Sequence, residues 1–324
     1  MAVRGSCFRQ SRKGFFYTLL SLLFLGIIIL SVFYYQGAFR YQEKSQLHST
    51  RVLQMDNLLR NLDHDIGRAI YISSFHSFLA MQERIVKSGH YIPDIDSAFA
   101  GLFLNGTLGA EPVSSMQGST INDWFAGFNQ QASVNGIRIL WTVSDVVISH
   151  SDPWHVRASI VLDYVLTDSA DTASWNLSRN FSAELPIAGF EDPLYLIETS
   201  GKVSNIIHES NVTDFVQGTD VSNLRSHLLN SWYTESDHAP SYLQRLEGDF
   251  SASMFGIESM VDLQKLSDQG IATQEKSVID YIYFSDQNPA FYAITGMPDW
   301  FRLDDGSIFQ TTRLDYYEVD ELVQ

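Results

Sequence analysis

The side chains best suited to chemistry are scattered along this chain. Nine histidines occur among 324 residues, and none makes the His-Glu-x-x-His pair that sets two zinc ligands on one helical face. His150 and His155 flank a turn at Ser151-Asp152-Pro153 and would meet across a hairpin. Histidines beside a tight turn are ordinarily polar surface, so no metal site is assigned to them. The sequence contains no Gly-x-Ser-x-Gly elbow, Walker loop or dinucleotide glycine fingerprint. Asp286-Gln287-Asn288 and Asp304-Asp305-Gly306 offer oxygen ligands but lack the spacing of a twelve-residue calcium loop. Turn chemistry explains both, because Asp, Asn and Gly close turns through local hydrogen bonds. The 38 carboxylates are too dispersed to nominate an acid–base pair. The reading is of a chain that is not an enzyme and takes no cofactor or metal.

The lone cysteine, Cys7, precedes an uncharged apolar run from Phe15 to Tyr35. That run of 21 residues is about 31 Å long as a helix, the hydrocarbon thickness of a bilayer. Arg4, Arg9, Arg12 and Lys13 lie before it, whereas only Arg40 and Lys44 lie close behind. The positive-inside bias then leaves residues 1–14 in the cytoplasm as a basic leader and the bulk of the chain outside, as a single-pass membrane protein. A cleaved secretory signal is the rival, but its apolar core is shorter and ends in small residues, not in Val32-Phe33-Tyr34-Tyr35. The outer part has no thiol, so disulfides and cysteine-based metal sites are excluded there.

The formal charge is −17, and the leader carries +4, which leaves −21 for the remainder. So acidic an outer part excludes nucleic acid and anionic membrane surfaces as its partners. Four sequons fall in it, at Asn105, Asn176, Asn180 and Asn211, and are the candidate glycosylation sites.

Which elements would position these residues follows from periodicity. Residues 36–89 read as one amphipathic stalk helix, with Met55, Leu58, Leu62, Ile66, Ile70 and Ser73 at three- and four-residue steps, Phe78 continuing downstream, and Ser88-Gly89 as a stop. Residues 90–118 read as irregular, punctuated by Pro93, Gly101, Gly106 and Pro112. Thr120 to Asp123 resembles a capping box, and Asn135-Gly136 ends the helix it opens. From Ile137 to His208 the period becomes two, which predicts an antiparallel meander: 137–143 onward, 156–166, 175–185, and a last pair at 194–198 and 202–207. Val221 to Trp232 reads as a helix and Val278 to Phe284 as a strand. The aromatic-rich end (Phe291, Trp300, Phe301, Phe309, Tyr316, Tyr317) reads as core. The expected architecture is α+β: a transmembrane helix over 15–35, the stalk over 36–89, a β-rich domain over 90–210, and a mixed region over 211–324 that either continues that domain or forms another.

Arg12-Lys13-Gly14 followed at once by Phe15 and an apolar helix resembles the class III signal of type IV prepilins, particularly archaeal ones. The resemblance implies that a prepilin peptidase cuts between Gly14 and Phe15 on the cytoplasmic side, and that Phe15 to Tyr35 becomes an assembly helix. It also implies self or related pilin-like subunits as partners through residues 15–89, besides the lipid bilayer. The fifth residue after the implied cut is Leu19, where bacterial pilins commonly carry glutamate. The large outer part points to a minor or tip subunit within that family. It also resembles uncharacterised archaeal single-pass membrane proteins. The expectation is a membrane-anchored, extracytoplasmic, pilin-like structural protein of the cell surface. The alternative is a permanently anchored adhesion or sensing module without catalytic activity.

Overall fold

The computed structural model describes residues 12–170 and 173–324. Residues 1–11 of the leader, Asp171 and Thr172 lie outside the described residues. Mixed helix and antiparallel sheet follow an apolar N-terminal helix.

Helix α1 runs from Arg12 to Ser88 over 77 residues. It stops where Gly89 takes φ +66°, a left-handed conformation that a side chain disfavours. None of the apolar window within Phe15–Gly37 is buried, and among the described residues burial begins at Met55. From there Leu62, Ile66, Ile70, Phe78, Met81 and Ile85 line one side of the main core. A three-stranded antiparallel sheet, β1 (Ile137–Asp152), β2 (His155–Asp168) and β3 (Ser174–Pro186), lies against it in sequential order. On β2 the inward residues Val156, Ala158, Ile160, Leu162, Tyr164 and Leu166 are all buried, as the two-residue period requires. β1 is bulged between Val143 and Asp145 and again between His150 and Asp152.

α1 packs on β2 and β3, and α2 (Ile95–Asn105) and α3 (Ile121–Val134) close the rest of the core. The box at the start of α3 is complete: Thr120 Oγ1 accepts from Asp123 N, and Asp123 Oδ2 accepts from Thr120 N. Trp141 of β1 stacks on Phe125 of α3 with ring centroids 4.8 Å apart. At the end of the sheet nearest the apolar half of α1, Arg51 donates to Asn135 O (2.9 Å) and stands 3.9 Å from the buried Asp168 carboxylate. Further along, Arg179 of β3 reaches back to Asp63 of α1 at 2.6 Å.

Three expectations are overturned. Residues 90–118 contain α2, whose N-cap is Asp94 and whose left-handed C-cap is Gly106. Residues 194–198 are not a strand but α4 (Pro193–Glu198), capped by Asp192 with Pro193 at its first position; 202–207 contributes only an isolated bridge, Glu191 with Ile206. The run 278–284 is mostly a helical turn, α8 (Asp280–Tyr283).

The C-terminal part is built of short pieces: α5 (Ser222–Asn230), the ladder of β4 (Tyr233–Glu235) with β5 (Ile257–Ser259), α6 (Tyr242–Glu247), α7 (Leu263–Asp268), α8 and α9 (Arg313–Tyr316). Leu224, Leu228, Ile279, Phe301, Leu303 and Tyr317 form its apolar core. Tyr233, Tyr242, Leu246 and Ile257 belong instead to the core that α1 lines.

Candidate functional site

Two features separate this molecule from an ordinary packed core: an uncovered apolar helix, and two arginines sealed inside with their carboxylates. Among the described residues one helix is long and apolar enough to cross a membrane, Phe15–Gly37 of α1, with mean hydropathy 2.5. None of its apolar window is buried in the chain. Phe15, Phe16 and Tyr17 gather at one end and Phe33, Tyr34 and Tyr35 at the other, all exposed. From Phe16 to Tyr34 the helical rise is about 27 Å, so the aromatic clusters stand where the two faces of a bilayer would be. Two of the hydroxyls between them are satisfied within the helix: Thr18 donates to Phe15 O at 2.8 Å and Ser21 to Tyr17 O at 2.9 Å. Hydrocarbon leaves polar groups no other partner. Gly14 lies in the first turn of α1, and Phe15, which follows it on the same helix, is exposed.

The four sequon asparagines are all exposed. Asn105 ends α2 and accepts from Asn122 at 3.2 Å, beside an open cleft of about 530 Å³. Asn176 and Asn180 share the outer face of β3 with Ser178 and Ser182, and Asn211 lies in coil.

The histidines at the first hairpin do not converge. His155 Nδ1 is 2.9 Å from the Asp152 carboxylate, while His150 stacks on Phe255 and its Nε2 accepts from Leu243 N. Asp304 is buried against Arg313 and so is committed to a cation of the protein's own. Among the described residues no group of three or more metal-ligating side chains comes together.

Arg245, on α6, is wholly buried. All five of its N–H donors are used: Nε to Pro240 O, Nη1 to Asp192 (2.6 Å) and Asp280 (2.9 Å), Nη2 to Ile257 O and Asp280. Tyr233 also donates to Asp192, and Ser259 to Asp280, both at 2.8 Å. Burial pushes the Asp192 carboxyl up while the adjoining guanidinium pulls it down. Arg313 repeats the device. Glu258 receives a bidentate pair at 3.0 Å, Tyr281 accepts at 2.8 Å, and Asp304 closes the far side. The clusters stand back to back, because Glu258 and Asp280 serve different arginines while their chain neighbours Ser259 and Tyr281 serve the opposite ones. Neither arginine carries a local sequence signal, since its carboxylate partners lie 9 to 55 residues away.

His227 of α5 is also buried. Its Nδ1 is 3.0 Å from Ser210 Oγ, its Nε2 has no partner, and Phe215 packs edge-on to the ring. Burial pulls its pKa down to about 4, so the ring is neutral at physiological pH. An open cleft of about 560 Å³ lies beside Lys276, whose ammonium donates to Tyr283 O and Ser285 O.

Comparison with protein-family models, with curated proteins and with solved structures returns no match.

Proposed function

We propose that this chain is a membrane-anchored, extracytoplasmic structural protein, a pilin-like minor or tip subunit that acts by assembly and not by catalysis. The observation that carries the reading is the continuity of α1. One helix is bare and apolar over Phe15–Gly37 and then forms a wall of the folded core from Met55 onward. A bare apolar segment of this length must be covered by lipid or by other apolar helices. Its direct fusion to the core suits a subunit whose head is carried on the helix that assembles. The basic residues ahead of the span support an N-terminus on the cytoplasmic side. Arg12-Lys13-Gly14 would then present the Gly14–Phe15 bond to a prepilin peptidase. In this reading the buried arginine clusters are structural, since solvent does not reach either guanidinium.

The test is the N-terminal residue of the protein extracted from membranes of its native host, read by peptide mass spectrometry. A mature terminus at Phe15 is the expected result. An intact terminus that retains Arg12 and Lys13 would overturn the processed-subunit reading and leave a permanent anchor bearing an adhesion or sensing module.

A further inference from the structure

α1 has a second uncovered apolar surface, on the half that walls the core. Ile72, Phe75, Leu79 and Val86 are 41%, 37%, 39% and 56% exposed, and Tyr71 stands beside them, its ring stacked on Phe75 at 6.4 Å. At 100° per residue these five fall within one arc of the helix, flanking the buried arc of Ser74, Phe78, Met81 and Ile85. The same arc nearer the membrane carries Asn57, Asn61, His64 and Arg68, so a polar stretch separates the surface at 71–86 from the next exposed apolar residue on the arc, Leu53. Phe75 is also held from behind by Phe190, with centroids 5.4 Å apart, so the surface is backed by core.

Lipid cannot cover this stripe. Tyr71 is 34 residues beyond Gly37, about 50 Å of helical rise above the span. We propose that a second copy of this chain, anchored in the same bilayer, docks along Ile72, Phe75, Leu79 and Val86 in a parallel, side-by-side pair. The proposal rests on the anchored reading above and does not need leader cleavage. The span sets the height of every copy, so the stripes of two neighbours meet level with one another. The spacing 72, 75, 79, 86 follows the heptad seam by which parallel helices pack; the intervening position of that repeat, Gln82, is buried and donates inward to Glu191 O and Tyr242 Oη, so it leaves a gap in the seam. Arg68 facing its equivalent would end the contact at the membrane side.

The area argues for the same partner. Five large side chains at these exposures present on the order of 400 Å² per copy, or about 800 Å² for the pair, below the roughly 1,200 Å² of a stable interface between free proteins. Confinement of both spans to one membrane raises the effective concentration and offsets that shortfall. A partner diffusing in solution would have no such help.

The experiment is cysteine cross-linking of the full chain in native membranes. The outer part has no thiol, so a Cys7→Ser background is silent. Ile72→Cys and Leu79→Cys should give a covalent dimer on iodine oxidation, with both halves identified as this chain by mass, and at several-fold higher yield than Asn61→Cys on the same arc. If neither dimerises while a scan of Leu22 to Leu25 to cysteine does cross-link, the stripe is not a seam although the spans assemble. If no position cross-links, assembly itself fails along with the seam. A product joining Leu79→Cys to a different chain would overturn the choice of a second copy.

Discussion

Arg245 and Arg313 hold four carboxylates in an interior that excludes water, two to each guanidinium. Such a cluster tolerates removal of one member poorly, because the remaining charges stay buried and uncompensated. Arg245→Met should therefore cost about 3–5 kcal/mol in urea unfolding of the detergent-solubilised chain. Arg157→Met, which breaks the exposed pair with Glu184, should cost less than about 1 kcal/mol in the same assay. His227 supplies a pH dependence. Its folded pKa of about 4 lies below the ordinary 6.5, so between those values the unfolded chain binds a proton that the folded chain refuses. Stability from this residue is intact above pH 6.5 and falls as pH drops toward 4. The loss is about 1.4 kcal/mol per pH unit across that window. His227→Phe should flatten this part of the profile relative to the parent chain when melting temperature is followed from pH 7 to 4.

At the scale of elements, what could be read in advance depended on whether the signal was local. The α3 cap and the three long strands were legible because Thr120, Asp123 and the two-residue alternation of Val156 to Leu166 act through neighbours. Thr120→Ala removes the cap acceptor and should cost about 1 kcal/mol of thermal stability, with Asp123→Ala no worse than additive to it. α2 is not legible because Pro93, Gly101 and Gly106 read as loop punctuation, whereas two of them mark its limits and one sits within it. Pro93 precedes the Asp94 cap, Gly106 is the left-handed stop, and a Cβ on Gly101 would meet Thr107 O at 2.7 Å. α4 and α8 look like strands because apolar residues crowd every position of a short run. Burial on all sides erases the period that distinguishes helix from strand. The overlooked signal at α4 was Asp192-Pro193, a cap followed by proline at the first helical position. The arginine clusters had no signal to overlook.

For the whole molecule, the orientation taken from the leader has a direct check. Ala252 is exposed on the C-terminal part. In a Cys7→Ser background, Ala252→Cys should react with a membrane-impermeant maleimide added to intact cells, and protection until lysis would reverse the topology. The long apolar segment was legible from composition alone, while its relation to the head was not, since only the fold reveals that burial starts at Met55 and that Arg51 clips the helix to the sheet. One consequence of that continuous helix concerns angle. With no break from Arg12 to Ser88, the direction the head faces is geared to the rotation of the span about its axis. Inserting one alanine after Gln36 should swing the head by about 100° against the span, whereas seven should restore its facing within about 20° and merely lift it by about 10 Å. Double cross-linking, through Leu79→Cys and a span position together, should survive the second insertion and fail in the first. The helix would then serve as a compass as well as a tether, and the bilayer would set the bearing of everything above it.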